Sequence, residues 1–269
     1  MIPLSKMQID VDTHTHTVLS LHAWSTLKEN AEEAAKRGMK KICVSEHGPA
    51  LSGEHTTYTI PNAQVLPESY CGIGLVKSGE FDIISVDGRI DMSHHYLKKM
   101  QFGIASLHQP AIENGGVEIN TQCYINVLKD PLIDIIGHPD RPAYPCDAEA
   151  VVKAARDAGK LIEINNHSLD HYGDSRPTAE FVKLCKKHDV RVCVSSDAHF
   201  CGQVGAVPEA LELLEELEFP RELILNLKVE DFDAYLLERQ ERIRRFLAAG
   251  IDVYKNERDV RPLYRHARQ

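Results

Sequence analysis

Two histidines near the start of the chain, His14 and His16, are separated by one residue in "DVDTHTH", where an apolar run ends. Residues i and i+2 of a strand point to the same face, so both imidazoles can reach one ion. Neutral imidazole is the commonest protein ligand for metals such as zinc. One such pair occurs by chance in surface loops, so a metal site requires further ligands.

Further ligand-type residues stand in or after other apolar runs, in "VSEH", "SGEFDII", "ASLH", "IIGHP" and "SSDAH". A catalytic zinc ion generally takes three protein ligands and keeps one position for water. Nine candidate ligands therefore correspond to three ions and favour a trinuclear centre over a single-metal site. The nine candidates are His14, His16, His22, His47, Glu80, His108, His138, Asp197 and His199.

These residues depend for their positions on alternating strands and helices. The predicted strands are Met7–Asp12, Lys41–Glu46, Ile73–Ser85, Gly103–His108, Ile133–His138, Leu161–Asn165 and Arg191–Ser195. The predicted helices are Ser25–Arg37, Glu118–Lys129, Asp147–Ala158, Thr178–His188 and Pro208–Leu217, and Gly48–Cys71 is predicted as a long loop. This alternation predicts parallel βα units. Polar residues after nearly every strand predict a barrel, because a doubly wound sheet would gather them at one switch point.

Composition and charge restrict the classes of function. The 269 residues are enough for a large single domain, and the net charge of −9 disfavours a broad nucleic-acid-binding surface. No run approaches the roughly 20 apolar residues of a membrane span, and the first residues lack the pattern of a secretory leader, so we expect a cytoplasmic protein. The seven cysteines contain no CxxC pair and predict neither a disulfide framework nor a zinc ribbon.

The motifs "DTHTH", "SEHGP", "GHP" and "SDAH" resemble, in this order, those of the PHP (polymerase and histidinol phosphatase) metal-dependent phosphoesterases. His22, "VDGRID", "EINN" and "SSDAH" are more specifically similar to the YcdX-like phosphatases. The resemblance covers roughly residues 8–240 and implies an α/β fold, a distorted seven-stranded (β/α)7 barrel. We expect a single domain, with the barrel at residues 1–240 and a helical C-terminal extension of it at residues 241–269.

The resemblance also implies how the ligands are shared. It assigns His14, His16, Glu80 and Asp197 to one ion, Glu80, His108 and His138 to a second, and His22, His47 and His199 to a third. The implied cofactors are three divalent ions, with zinc favoured and manganese or iron as alternatives, because histidine–carboxylate sites accept several metals.

Four other residues are predicted to act beside these ligands. Arg141 follows a ligand histidine and could grip phosphate with two nitrogens, although a surface ion pair is an alternative reading. His167 could contact substrate or cap its strand. Asp12 and Glu46 are expected behind the ligands, with Asp12 accepting from a ligand histidine and fixing its tautomer.

The predicted function is hydrolysis of a small phosphate monoester. Closely spaced divalent ions activate water and hold the attacking and leaving oxygens, so a metal-bound hydroxide is expected to attack phosphorus without a protein nucleophile. Three alternatives stay open: a PHP-type phosphodiesterase or exonuclease on nucleic acid, an amidohydrolase-like metal hydrolase, and a non-catalytic metal-binding module. The negative net charge disfavours the nuclease. The additional histidines His22, His47 and His108 favour three metal ions over the one or two expected in an amidohydrolase-like enzyme. The helix around "ERQERIRRF" could cover the barrel or join two subunits of a homo-oligomer.

Overall fold

The structure is a computed structural model that describes residues 2–253. Seven parallel strands follow one another in chain order around a sheet, and the first and last of them meet through a bridge between Thr15 and Ala198. They are β1 (Val11–Thr15), β2 (Lys41–Val44), β4 (Ile73–Asp82), β5 (Phe102–Ser106), β6 (Ile135–Ile136), β7 (Leu161–Asn165) and β8 (Val192–Ser195). A short strand, β3 (Ser69–Tyr70), pairs antiparallel with β4. The predicted seven-stranded α/β barrel is confirmed.

Helices surround this barrel and connect its strands. They are α1 (Leu27–Lys36), α2 (Pro49–Ser52), α3 (Thr56–Asn62), α4 (Gly116–Val127), α5 (Ala148–Ala158), α6 (Asn166–Tyr172), α7 (Arg176–His188), α8 (Pro208–Glu216) and α9 (Val229–Ala248). Local sequence sets their ends. At the start of α1 the Thr26 hydroxyl accepts from the Glu29 N–H while the Glu29 carboxylate accepts from the Thr26 N–H, which is a capping box. Gly159 ends α5 at a φ of 64°, where glycine carries no steric penalty.

The barrel interior is apolar where the strands begin and polar where they end. A large second core lies between the sheet and the helices. The interior cluster consists of Val11, Cys43, Val76, Phe102, Ile104, Ile135, Leu161, Cys193, Leu225, Phe232 and Tyr235. Burial and close packing of this apolar cluster stabilise the barrel and hold the polar residues at the ends of the strands in fixed positions.

The first strand differs from its predicted position. It begins at Val11 rather than Met7, because the chain forms a 3-10 turn at Leu4–Lys6 before entering the sheet. The pairing of β1 with β2 shifts register between Asp12 and Thr15. In a regular strand Val11 and His14 would face opposite sides, but the bulge lets Val11 join the interior cluster and His14 face the same interior higher up.

The prediction of a long loop at Gly48–Cys71 is wrong. This segment contains α2, α3, a 3-10 turn and β3. Pro49 occupies the first turn of α2, where its missing N–H is not needed. Gly53 and Pro61 divide the segment into pieces too short to show a helical period.

The last described helix, α9, covers the amino end of the barrel. Arg239 Nε lies 2.7 Å from Asp134 Oδ2, and Tyr235 and Arg242 contact the same buried carboxylate. The helix continues without a break through residue 240, where the predicted C-terminal extension begins, and residues 254–269 of that extension lie outside the described residues. Within residues 2–253, no helix is both long and apolar enough to span a bilayer.

Candidate metal centre

Glu80, near the end of β4, lies at the centre of a cluster of histidines. Its Oε2 is 3.1 Å from His14 Nε2 and 2.8 Å from His47 Nδ1. Its Oε1 is 2.8 Å from His138 Nε2 and 3.6 Å from His108 Nε2. Residues from four different strand ends therefore meet around one buried carboxylate, and the parallel barrel is what brings them to the same rim.

A second buried acid, Asp197, completes the most compact group. Its Oδ1 lies 3.2 Å from His16 Nε2 and 3.6 Å from His14 Nε2. A tetrahedral zinc ion with bonds of about 2.0–2.1 Å separates its ligands by about 3.3 Å. The spacing of these three atoms therefore fits one ion.

Five buried atoms that face one another at the centre of this cluster form no hydrogen bond of normal geometry within the described residues, although ion-pair contacts as short as 2.8 Å join some of them. They are His14 Nε2, His16 Nε2, His47 Nδ1, Glu80 Oε2 and Asp197 Oδ1. Buried polar atoms are normally paired, and leaving one unpaired costs about 1–3 kcal/mol. Five such atoms turned toward one another are understandable if cations complete the site.

The remaining predicted ligands lie on the open side of this group. His22 Nε2 is 2.8 Å from His199 Nε2. His47 takes part in two possible ligand groups, one with His16 and His199 and one with Glu80 and His108. The structure thus brings all nine predicted residues together. His47 was expected only with His22 and His199, but it lies beside Glu80 as well as near His199.

The electrostatic environment favours the ligand forms of most of these side chains, with His14 as the exception. Burial lowers the pKa of His47 and of His108 to about 4, and burial with the charges of neighbouring histidines holds the pKa of His16 well below its usual value. Burial opposes ionisation of Glu80 and Asp197, but the neighbouring histidines, with Arg141 beside Asp197, together outweigh it and hold both pKa values well below their ordinary range. Burial also opposes the charged form of His14, but the same two carboxylates and Glu163 raise its pKa well above the usual value, so His14 must lose a proton when a metal binds. Neutral imidazoles beside ionised carboxylates are the forms that bind metals.

Hydrogen bonds to the outer ring nitrogens orient several of the imidazoles. His14 Nδ1 lies 2.7 Å from Glu163 Oε1, and His108 Nδ1 lies 2.8 Å from Asp82 Oδ1. His22 and His199 use Nδ1 toward backbone carbonyls at 2.8 and 2.9 Å. An Nδ1–H that donates outward leaves the Nε2 lone pair directed into the site.

Asp12 does not have the predicted contact with a histidine ring. Its carboxylate accepts from the backbone N–H groups of His14, Ser196 and Gly205. It therefore fixes the loop after β8 against β1 instead of a tautomer. The bulge in β1 explains the error, because a regular strand would have put Asp12 and His14 on one face.

Glu163 and Asp82 carry out the role expected of Asp12. Glu163 accepts from His14, from the Ser195 hydroxyl at 2.6 Å and from the His138 N–H at 2.6 Å. Strand alternation indicates that Glu163 faces the barrel interior. Its partner lies 149 residues earlier, so no sequence spacing could identify it.

The other predicted residues lie around the cluster. Glu46 accepts from Ser20 Oγ, which is 3.2 Å from His16 Nδ1, so Glu46 contacts this ligand through a hydroxyl. Arg141 Nη2 is 2.7 Å from Asp197 Oδ2, and its Nη1 donates to His108 Nε2 at 3.3 Å. The His167 ring centroid is 6.2 Å from that of His199. His167 does not cap its strand: it lies in the first turn of α6, whose start is capped by the Asn165 side chain accepting from the Ser168 N–H.

Replacement of Glu163 by glutamine is expected to weaken metal binding about 10- to 100-fold, because the charge that orients the His14 ring is lost. Competition with a chromogenic chelator at fixed pH would measure this affinity. Glu149→Gln, which changes an acid on the surface, should bind metal like the unchanged protein. If Glu163→Gln bound metal with unaltered affinity, the charge of Glu163 would have no role in orienting His14 for metal binding.

Comparisons with known proteins agree with this geometry. The PHP domain family matches residues 12–170. A "probable phosphatase" of Acetivibrio thermocellus is 43% identical over 240 residues, which are 89% of this chain and 100% of that protein. A second "probable phosphatase", from Caldanaerobacter subterraneus, is 44% identical over 88% of this chain and 95% of its own.

Among solved structures, the fold is similar to that of histidinol phosphate phosphatase from Lactococcus lactis. The TM-score is 0.57 at 17% identity, and the match covers 78% of this chain and 94% of the other. That crystal structure contains zinc, L-histidinol and phosphate. At this identity the likeness shows a shared fold.

Proposed function

This chain belongs to the PHP domain family, and we propose that it is a phosphatase that hydrolyses a small phosphate monoester with three bound divalent ions. The names of its relatives support the reaction class. The observation that carries the proposal is the set of five buried nitrogen and oxygen atoms that face one another without hydrogen-bond partners. A fold that binds no metal would have little reason to bury them, and the names of the relatives add the reaction class.

Three ions would account for the arrangement of the nine ligands. His14, His16 and Asp197 would hold the first ion with Glu80, and Glu80 would reach a second ion bound by His108 and His138. His22 and His199 would hold the third, with His47 lying between the outer two groups. Zinc is the favoured metal, as in the Lactococcus structure, while manganese and iron suit the same donors.

When bound, such ions lower the pKa of water and neutralise charge on the phosphoryl oxygens. The chain's own residues set the geometry around them. Glu80 is held in place by the Ser106 hydroxyl, which donates to Oε1 at 2.7 Å. His14 is held by Glu163 and cannot rotate without breaking that bond. Phosphoryl transfer needs mainly positioning and neutralisation, which rigid ligands on strand ends provide.

Arg141 is the group we assign to the phosphoryl oxygens. Its Nη1 now donates to the His108 Nε2 lone pair, and that lone pair would be occupied in a metal-loaded site. The guanidinium nitrogen would then be free to donate to an anion while Nη2 stays near Asp197. Arginine suits this role because its planar fork matches phosphate geometry.

A panel of esters tests the proposed reaction. Protein loaded with zinc or manganese should release phosphate from p-nitrophenyl phosphate much faster than it cleaves bis(p-nitrophenyl) phosphate or a labelled oligonucleotide. Preference for the diester or the oligonucleotide would identify a phosphodiesterase or nuclease instead. Absence of turnover with all of them, at full metal content, would favour a metal-binding module.

A further inference from the structure

Three large apolar side chains project into solvent beside the metal cluster. Leu21 is 68% exposed, Trp24 83% and Phe200 54%. Each lies within two residues of His22 or His199 in the sequence. Single exposed apolar residues are ordinary, but a group of three around a ligand site commonly marks a binding surface.

The loops that carry these side chains are fixed to each other. The Trp24 N–H donates to the His199 carbonyl at 2.7 Å, and the Cys201 N–H donates to Ser25 Oγ at 2.8 Å. His22 is exposed and the His199 side chain is 22% exposed, whereas His14 and His16 are fully buried. The cluster therefore opens toward solvent between the two loops that bear Leu21, Trp24 and Phe200.

Leu21 is placed there against its backbone preference. Its φ is 65°, in the left-handed region that glycine and asparagine adopt most easily. The turn brings His22 back so that its Nδ1 reaches the Ser20 carbonyl. Glycine would make the same turn with less strain, and the leucine side chain buries little, so folding alone does not account for it.

We propose that Leu21, Trp24 and Phe200 bind an aromatic ring in the alcohol portion of the phosphate ester. The proposal rests on the function proposed above, since it assumes that the phosphoryl group enters the metal cluster. The rest of the substrate must then leave the cluster through its open side, between His22 and His199. An exposed indole at the opening of the cluster can stack on a planar ring, and Leu21 and Phe200 add apolar surface on the same two loops.

Trp24 is the only tryptophan in the chain, so its fluorescence reports directly on this contact. Phenylmethylphosphonate and methylphosphonate share a phosphonate head that cannot be hydrolysed. In zinc-loaded protein, the aromatic compound should change the emission of Trp24 with saturation, and it should bind about tenfold more tightly than methylphosphonate in calorimetry. Equal affinities and unchanged emission would overturn the proposal.

Kinetics provide the second test. 2-Phenylethyl phosphate and ethyl phosphate are both primary alkyl esters, so their leaving groups differ little in acidity. The ratio of kcat/KM for the aromatic ester to that for ethyl phosphate should fall about tenfold in Trp24→Ala. Leu237→Ala is the control, because it removes an apolar side chain of α9 that is 66% exposed and lies at the opposite end of the barrel. This variant should leave the ratio unchanged.

The outcomes separate the two proposals. Hydrolysis of both esters with no preference, unaffected by Trp24→Ala, would overturn the aromatic site while leaving the phosphatase intact. No hydrolysis of either ester or of p-nitrophenyl phosphate, at full metal content, would overturn the phosphatase function itself. Loss of self-association in Trp24→Ala, measured by sedimentation velocity, with unchanged ester selectivity would identify the surface as an interface between copies and overturn the proposal.

Discussion

Glu80→Gln is expected to lower kcat/KM for a phosphate monoester by at least about 1000-fold, because it would remove the charge that we propose two ions share. The amide has the same shape and can still accept from Ser106, so the variant should fold. Its Oε2 position now lies within 3.1 Å of both His14 and His47. A neutral amide there would weaken the binding of both neighbouring ions together.

The measurement combines steady-state kinetics with metal analysis of the same sample. Glu149→Gln is a suitable control, since it makes the same chemical change on the surface. The bridging role of Glu80 would be refuted by a glutamine variant that keeps its full metal content and its turnover.

Removal of the metal is expected to abolish hydrolysis and to lower the Tm by about 10 °C. If the free metal concentration is about 1000 times the Kd, binding stabilises the fold by about 4 kcal/mol. For a chain of this size each kcal/mol shifts the Tm by about 2–4 °C. The structural cause is that the buried charges of Glu80 and Asp197, together with the unpaired imidazole nitrogens, lose their cations.

Differential scanning calorimetry before and after chelation would measure this shift, and adding zinc back should restore both activity and Tm. In Glu80→Gln the shift on chelation should be smaller, because fewer ions are held. A chelated protein that retains its Tm and its activity would contradict the presence of a metal in the site.

The fold, and the group of residues that converge at the rim of the barrel, could be predicted because their signals are local. Strand β7 was expected at Leu161–Asn165 and lies there, since a largely apolar run begins two residues after Gly159, the glycine that ends α5. The candidate ligands are recognisable because a histidine or an acidic residue stands near the end of strand after strand. Parallel strands of a barrel bring such residues to one rim whatever their separation in the sequence.

The contacts behind the ligands could not be predicted, because they depend on pairings across the barrel. Glu163 reaches His14 from β7, which is separated from β1 by β8 in the barrel, and Asp82 reaches His108 from a neighbouring strand. Sequence proximity suggested Asp12 instead, but a shift of one residue in β1 redirected it to the backbone. A bulge of this kind leaves little trace in composition or periodicity.

Elemental analysis of the purified protein, calibrated against its concentration, tests the trinuclear proposal most directly. The nine converging ligands predict close to three divalent ions per chain when phosphatase activity is maximal, and loss of activity as this number falls. Maximal activity with one ion per chain, or with none, would contradict it.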